Sequence, residues 1–250
     1  MIIKIACKEG ERTNQLYAFT NNQPSHVITQ QSSPLFFKSS ITDILTNKSL
    51  SASFSLMSNT ILFNPKMLIP KWLFGGESKS NIHVLHDEND TEVGSFYRSQ
   101  KGFLRNKHVI ECGIKLDCYS RSYGITRNIF IHKDAAQIAE IVIPLSVTNG
   151  FWCFIFLLDV YSNLNMLLLN IARCISSGSG TTSSSSSFDG HGVGRAGVSI
   201  STTYTKDGYS KLHDRNWIMN NFSFDEINAV NKEIAENREL AKNLIHNRRK

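Results

Sequence analysis

Residues 151–175, FWCFIFLLDVYSNLNMLLLNIARCI, are the most hydrophobic part of the chain, and their two halves differ in character. Up to Leu158 the run is aromatic and β-branched, the composition of a short buried strand. Beyond it, Leu164, Met166, Leu167, Leu168, Leu169, Ile171, Ala172, Cys174 and Ile175 leave no polar face on a helix over about residues 162–175. A helix that is apolar all round must be enclosed, so Leu164, Leu167, Leu168 and Ile171 are expected to form the centre of a core. A membrane span fits less well. Asp159, Ser162, Asn163, Asn165 and Asn170 interrupt the roughly 20 predominantly apolar residues a spanning helix needs. An Asp near a bilayer centre also costs about 2.5–3.5 kcal/mol on insertion scales.

What encloses the helix is legible upstream. Between residues 81 and 158, NIHVLH and EVGSFY flank the turn residues Asp87 to Thr91, and HVIEC and IKLDCY are divided by Gly113. ITRNIFIH and AQIAEIVI flank Lys133 and Asp134, which reads as a further hairpin. Residues 1–80 continue the pattern with MIIKIA, QLYAF, HVIT, PLFFK, SASFSLM, TILFN and KWLF, with prolines falling between the pieces. Such spacing predicts an antiparallel meander that rolls into a barrel or a sandwich. A closed barrel has an interior and the all-apolar helix requires one. The expected fold is therefore mainly β with α, an antiparallel β-barrel of consecutive strands enclosing a central hydrophobic helix. Asp159 or Ser162 is expected to cap the start of that helix.

This order, exemplified by NIHVLHDENDTEVGSFYR and by the closing FWCFIFLLDVYSNLNMLLLNIA, resembles the tubby C-terminal-like superfamily, which includes the tubby proteins, the phospholipid scramblases and the plant LURP-related proteins. The resemblance covers roughly residues 30–175. It implies a barrel around a central helix and, since tubby proteins bind phosphoinositides and scramblases act at bilayers, a role at anionic membranes. In that superfamily the central helix usually lies near the chain end, whereas here about 75 residues follow it.

Those residues divide in two. Residues 176–203, SSGSGTTSSSSSFDGHGVGRAGVSISTT, are too poor in apolar side chains to order themselves and read as a flexible linker or loop. Gly192, Gly194 and Gly197 match a dinucleotide-binding spacing, but a serine tract stands where the preceding strand would be. Residues 204–250 form an extension in which Trp217, Ile218 and Phe222 can dock on the barrel. Ser223 with Glu226 fits a capping box opening an amphipathic helix at about 224–247, with Ile227, Val230, Ile234, Leu240 and Leu244 as its apolar stripe.

The 250 residues are 41% hydrophobic and 19% charged, and 27 Lys and Arg against 21 Asp and Glu give +6, a balance that favours anionic partners. Five cysteines without C-x-x-C pairs suit a reducing compartment, and the charged N-terminal stretch MIIKIACKEGER is too short in apolar residues for a secretory signal, so a cytoplasmic protein, peripheral at the membrane, is expected. The clearest basic cluster is Arg98, Lys101, Arg105 and Lys107, ten residues without an acidic side chain and with Tyr97 and Phe103 interleaved. Placed on an exposed connection, these cations would bind phosphate groups of anionic lipid headgroups.

The same cluster with Arg121 and Arg127 could meet nucleic acid, but no nucleic-acid-binding motif accompanies it. His83, His86 and Asp87 are the densest group of candidate metal ligands, yet residues 83 and 86 of one strand point to opposite faces. No nucleophile elbow or local Cys and His arrangement stands out, so no catalytic residue, metal or cofactor is predicted. The expected function is non-enzymatic recognition of anionic phospholipid or phosphoinositide headgroups through Arg98, Lys101, Arg105 and Lys107. The alternative is a protein-interaction scaffold acting through the C-terminal amphipathic helix.

Overall fold

Alternation of apolar and polar residues builds the wall of the fold. In the computed structural model, which describes residues 1–6, 15–33, 36–55, 77–101, 105–123, 126–144, 153–177, 214 and 216–247, twelve strands run in sequence order and close into one antiparallel barrel. They are β1 (Ile2–Ala6), β2 (Gln15–Thr20), β3 (Gln23–Ser33), β4 (Phe36–Asp43), β5 (Ser49–Ser55), β6 (Glu77–His86), β7 (Glu92–Lys101), β8 (Arg105–Glu111), β9 (Lys115–Tyr123), β10 (Thr126–Lys133), β11 (Ala136–Pro144) and β12 (Cys153–Leu157). β12 returns to β1, with Ile2 opposite Phe156 and Ile3 opposite Ile155. Both residues of such a pair face the same side, Ile3 and Ile155 inward and Ile2 and Phe156 outward, and Ile3, Ile5, Leu16, Ile28, Ile41, Leu85, Ile110, Leu116, Ile129, Ile141 and Ile155 line a continuous interior.

An exposed 3-10 segment, Asp159–Leu164, of which only Leu164 is buried, leads into the helix α1, Asn165–Ser177, which fills the interior. Leu164, Leu167, Leu168, Leu169, Ile171, Ala172 and Cys174 join the same core as the inward strand residues. The expected enclosure of an all-apolar helix is thus what the chain adopts. Asn170 is fully buried and donates through Nδ2 to the Leu50 carbonyl at 2.8 Å, which offsets the cost of its amide in the core. The expected cap is corrected: the 3-10 segment opens after Leu158 without a side-chain cap, and Asp159 accepts from the Met1 amino group at 2.6 Å instead. The helix proper begins at Asn165, whose Oδ1 accepts from the Met166 N–H at 2.6 Å.

At the end where α1 enters, connections are tight: Asn21 and Asn22 (φ 51° and 62°) and Asp134 and Ala135 (φ 50° and 70°) make two-residue hairpin turns with both central residues left-handed. Asp43 and Asp87 accept backbone N–H groups of their own turns, and Gly113 (φ 65°) turns β8 into β9. Connections at the other end lie outside the described residues. So do the expected strands TILFN and KWLF, and residues 178–203 of the expected linker.

The outer wall carries a second core. α2 (Trp217–Asn221) and α3 (Phe224–Asn247) follow, and Trp217, Val230 and Ile234 pack on Val142, Phe154 and Phe156 of β11 and β12. Trp217 Nε1 donates to the Gln137 carbonyl at 3.0 Å. The capping box is formed, with Ser223 N donating to Glu226 Oε2 at 2.9 Å and Glu226 N to Ser223 Oγ at 3.3 Å. No helix among the described residues is long and apolar enough to cross a membrane.

Two substitutions test this packing. Leu168→Ala empties the centre of the barrel and should lower the unfolding free energy by about 2–5 kcal/mol in a denaturant titration. A Cβ at Gly94 would stand 2.1 Å from the Glu111 carbonyl oxygen, so Gly94→Ala must push β7 from β8 and should cost about 1–3 kcal/mol by the same measurement.

Candidate anion-binding site

The β7–β8 hairpin holds the basic cluster, and its register decides which residues meet. Arg98 lies opposite His108, Ser99 opposite Lys107 and Lys101 opposite Arg105. The expected exposed connection is therefore corrected: all four basic residues occupy strand positions, and only residues 102–104 lie between the strands. Lys107 is on the outer face, where its Nζ donates to Asp117 Oδ2 at 2.7 Å. Nearby, Tyr97 donates to Glu111 Oε1 at 2.7 Å while Lys79 sits 4.1 Å above the Tyr97 ring and 3.4 Å from Glu111 Oε2. The Tyr97 hydrogen bond, with Lys79 beside it, holds the Glu111 carboxyl below its usual range. Lys101 and Arg105 are direct cross-strand partners of like charge near the hairpin's end.

Arg98 does not share that outer face. Phe96, two residues earlier, faces the core, and His108, the cross-strand partner of Arg98, is two residues before the core residue Ile110. The same parity turns Ser120 inward with Cys118, Arg127 inward with Ile129 and His83 inward with Leu85. The inner face of β6 to β10 thus carries His83, Arg98, His108, Ser120 and Arg127. The His108 ring stacks on Phe96 at 5.3 Å and 19°, and His83 lies 5.6 Å from Phe96, 5.0 Å from Phe54 and 6.1 Å from Phe37. Arg127 donates through Nε to Ser120 Oγ at 3.1 Å. On α1, Arg173 hydrogen-bonds Gln30 of β3.

Burial and the neighbouring cations act on the interior imidazoles in one direction. Burial pushes His108 down to about 3, with Arg98, Arg127 and His83 all acting in the same direction. Burial alone lowers His83 to about 4. Both imidazoles are therefore neutral at pH 7. Both ring nitrogens of His83 and Nε2 of His108 are buried with no hydrogen-bond partner. Burial also lowers the Arg127 guanidinium from its ordinary value.

Other candidates are weaker. His83 points into the barrel and Asp87 belongs to the β6–β7 turn, and among the described residues no group of His, Cys, Asp and Glu could hold a metal ion. Cys112, Cys118, Cys153 and Cys174 are free thiols; Cys7 lies outside the described residues. An outer cleft is lined by Lys115, Asp117, Tyr119, His132, Asp134 and Ala135, where acid and base residues stand side by side and favour neither sign of ligand. On the outer wall Glu140 is buried and raised to about 7, chiefly by burial, while Asn128 and Gln137 donate to its two oxygens at 2.6 and 3.3 Å.

The sequence reading had Arg98 and Arg127 as surface cations and His83 as a weak metal ligand; it had no role for His108 or Ser120. The signal was parity, because each basic residue stands two positions from an apolar residue of the core. No family model, no curated protein and no solved structure matches the chain.

The buried imidazoles set the acid stability. Their folded pKa values lie below the unfolded 6.5, so the unfolded chain takes up protons first and stability is lost as pH falls from about 6.5 towards about 4 and about 3. The loss is on the order of 3 kcal/mol for His83. Glu140, raised above its unfolded 4.5, acts oppositely between about 4.5 and 7. Two groups outweigh one, so unfolding free energy should fall with pH below about 6.5, and His83→Leu should flatten that slope. Glu140→Gln should stabilise the protein at pH 8 and steepen the acid slope; its amide can donate to Asn128 Oδ1 or Gln137 Oε1, both buried without a partner, once either amide flips.

Proposed function

We propose that the protein is a non-enzymatic, tubby-like barrel that recognises anionic phospholipid or phosphoinositide headgroups at a membrane surface. The observation that carries this reading is the Lys101 and Arg105 pair. Like charges directly opposite one another on neighbouring strands destabilise a sheet, and a phosphate between them converts the repulsion into two attractive contacts. Lys107, of the same register parity, extends the basic positions along β8. The net charge of +6 supports attraction to an anionic surface. A docking helix for a protein partner is favoured less, because Val230 and Ile234 of α3 are buried against the chain's own barrel.

Each basic residue near an anionic surface is worth about 1 kcal/mol, so reversing two removes two attractions and adds two repulsions. The double variant Lys101→Glu, Arg105→Glu should lose at least tenfold in binding to vesicles containing phosphoinositide, measured by co-sedimentation at low and at physiological salt. Wild-type binding should weaken with salt and be absent on neutral phosphatidylcholine. Equal binding by wild type and variant would sink the reading, and removal of residues 223–250 would then show whether the C-terminal helix carries the interaction.

A further inference from the structure

The interior cluster is unlike the rest of the barrel lumen. Four consecutive strands, β7 to β10, contribute inward polar side chains, among them Arg98, His108, Ser120 and Arg127, next to isoleucine and phenylalanine walls. We propose that these four residues, with His83 beside them, form an interior site for a phosphate-class anion. The source of that anion is either free phosphate or a lipid phosphomonoester headgroup. This goes beyond surface recognition by Lys101 and Arg105 and does not depend on it.

Three observations carry the proposal. The first is composition: guanidinium groups only donate hydrogen bonds, and a neutral imidazole and a hydroxyl can each donate one, which together match the several acceptor oxygens of a phosphate. The second is incompleteness. His83, 1% exposed, has neither ring nitrogen partnered, and His108, 6% exposed, lacks a partner at Nε2. One nitrogen of the neutral His83 ring bears a proton, and a buried donor without an acceptor is a standing cost that a ligand oxygen removes. The third is the field. His108 lies under the influence of Arg98 and Arg127 together, so an anion between them offsets the repulsion that keeps the imidazole neutral. Phe37, Phe54 and Phe96 wall the imidazoles and exclude water, and lower polarity strengthens each charge-assisted contact.

The geometry also sets the coupling between ligand and proton. An anion bound beside His108 favours its charged form, so binding raises the imidazole from about 3 and couples ligand to proton uptake.

The test follows the histidine side chains directly. Wild-type protein labelled with nitrogen-15 is titrated with inorganic phosphate at pH 6 and 7.5, and separately with phosphatidylcholine vesicles carrying one-tenth phosphatidic acid, while the imidazole resonances of His83 and His108 are monitored. Movement of both with free phosphate is the expected result and assigns a site open to the free anion. Movement with phosphatidic acid vesicles alone assigns the same site to a lipid headgroup. Arg127→Gln should weaken either response about tenfold or more, and Ser120→Ala serves if that variant does not fold. Lys101→Glu with Arg105→Glu should leave the free-phosphate response unchanged, even where vesicle binding is lost. Resonances that stay still at millimolar phosphate and with both lipids would overturn the proposal, as would a response indifferent to Arg127→Gln and Ser120→Ala.

Discussion

Closure of β12 on β1 is the constraint from which the rest of the structure follows. An open sheet of this width would leave two rows of unpaired backbone groups and one apolar face in water. Pairing Ile3 with Ile155 abolishes both edges and converts that face into an enclosed volume. A volume of that size cannot stay empty at protein packing density, and α1 is the object that fills it. Barrel and helix are therefore one solution: the strands need something to pack on, and the helix has no polar face to show to water.

The filling is not uniform along the axis. Towards the end of the tight turns the contacts are isoleucine and leucine on both helix and wall. Farther along, the helix carries Asn170 and then Arg173, while the wall carries His83, Arg98, His108 and Arg127. Aromatic rings pack against the imidazoles, Phe37, Phe54 and Phe96 around His83 and Phe96 on His108. The outer surface has its own division. The wall of β11, β12 and β1 is covered by α2 and α3, with Lys4 paired to Glu233, and the β7–β9 wall carries a chain of cations and carboxylates.

Much of the fold was legible because it depends on local periodicity. The hydrophobicity of residues 164–175, interrupted only at Asn165, Asn170 and Arg173, forced an enclosure, and Asp87 to Thr91, Gly113 and the Lys133 and Asp134 turn marked hairpin ends that the structure keeps. Ser223 and Glu226 announced α3 through chemistry confined to four residues. What failed depended on register. Four basic residues within ten positions look like one patch in sequence, but a strand sends alternate residues to opposite faces, so Arg98 and Lys107 separate across the wall. The interior cluster assembles residues 83 to 127 from five strands, and its members are recognisable only after each is counted from a neighbouring core residue. Asp159 misled for a related reason: its carboxylate is taken by the chain's first residue, 158 positions away in sequence.

The interior cluster also bears on how stability is distributed. Buried charges and unpartnered imidazoles do not stabilise a barrel; well-packed apolar side chains at such positions are commonly neutral or better. The surrounding wall shows that such packing is available, because the inward positions next to Arg127 and His108 are Ile129 and Ile110, both essentially inaccessible to water. The polar positions are therefore tolerated by a core large enough to absorb their cost, namely the aliphatic half around α1 and the second core beneath α3. A closed lumen is also the place in this chain where two guanidinium groups can be held by backbone register instead of by long exposed side chains. For the anion proposed above, that preorganisation would lower the entropy lost on binding.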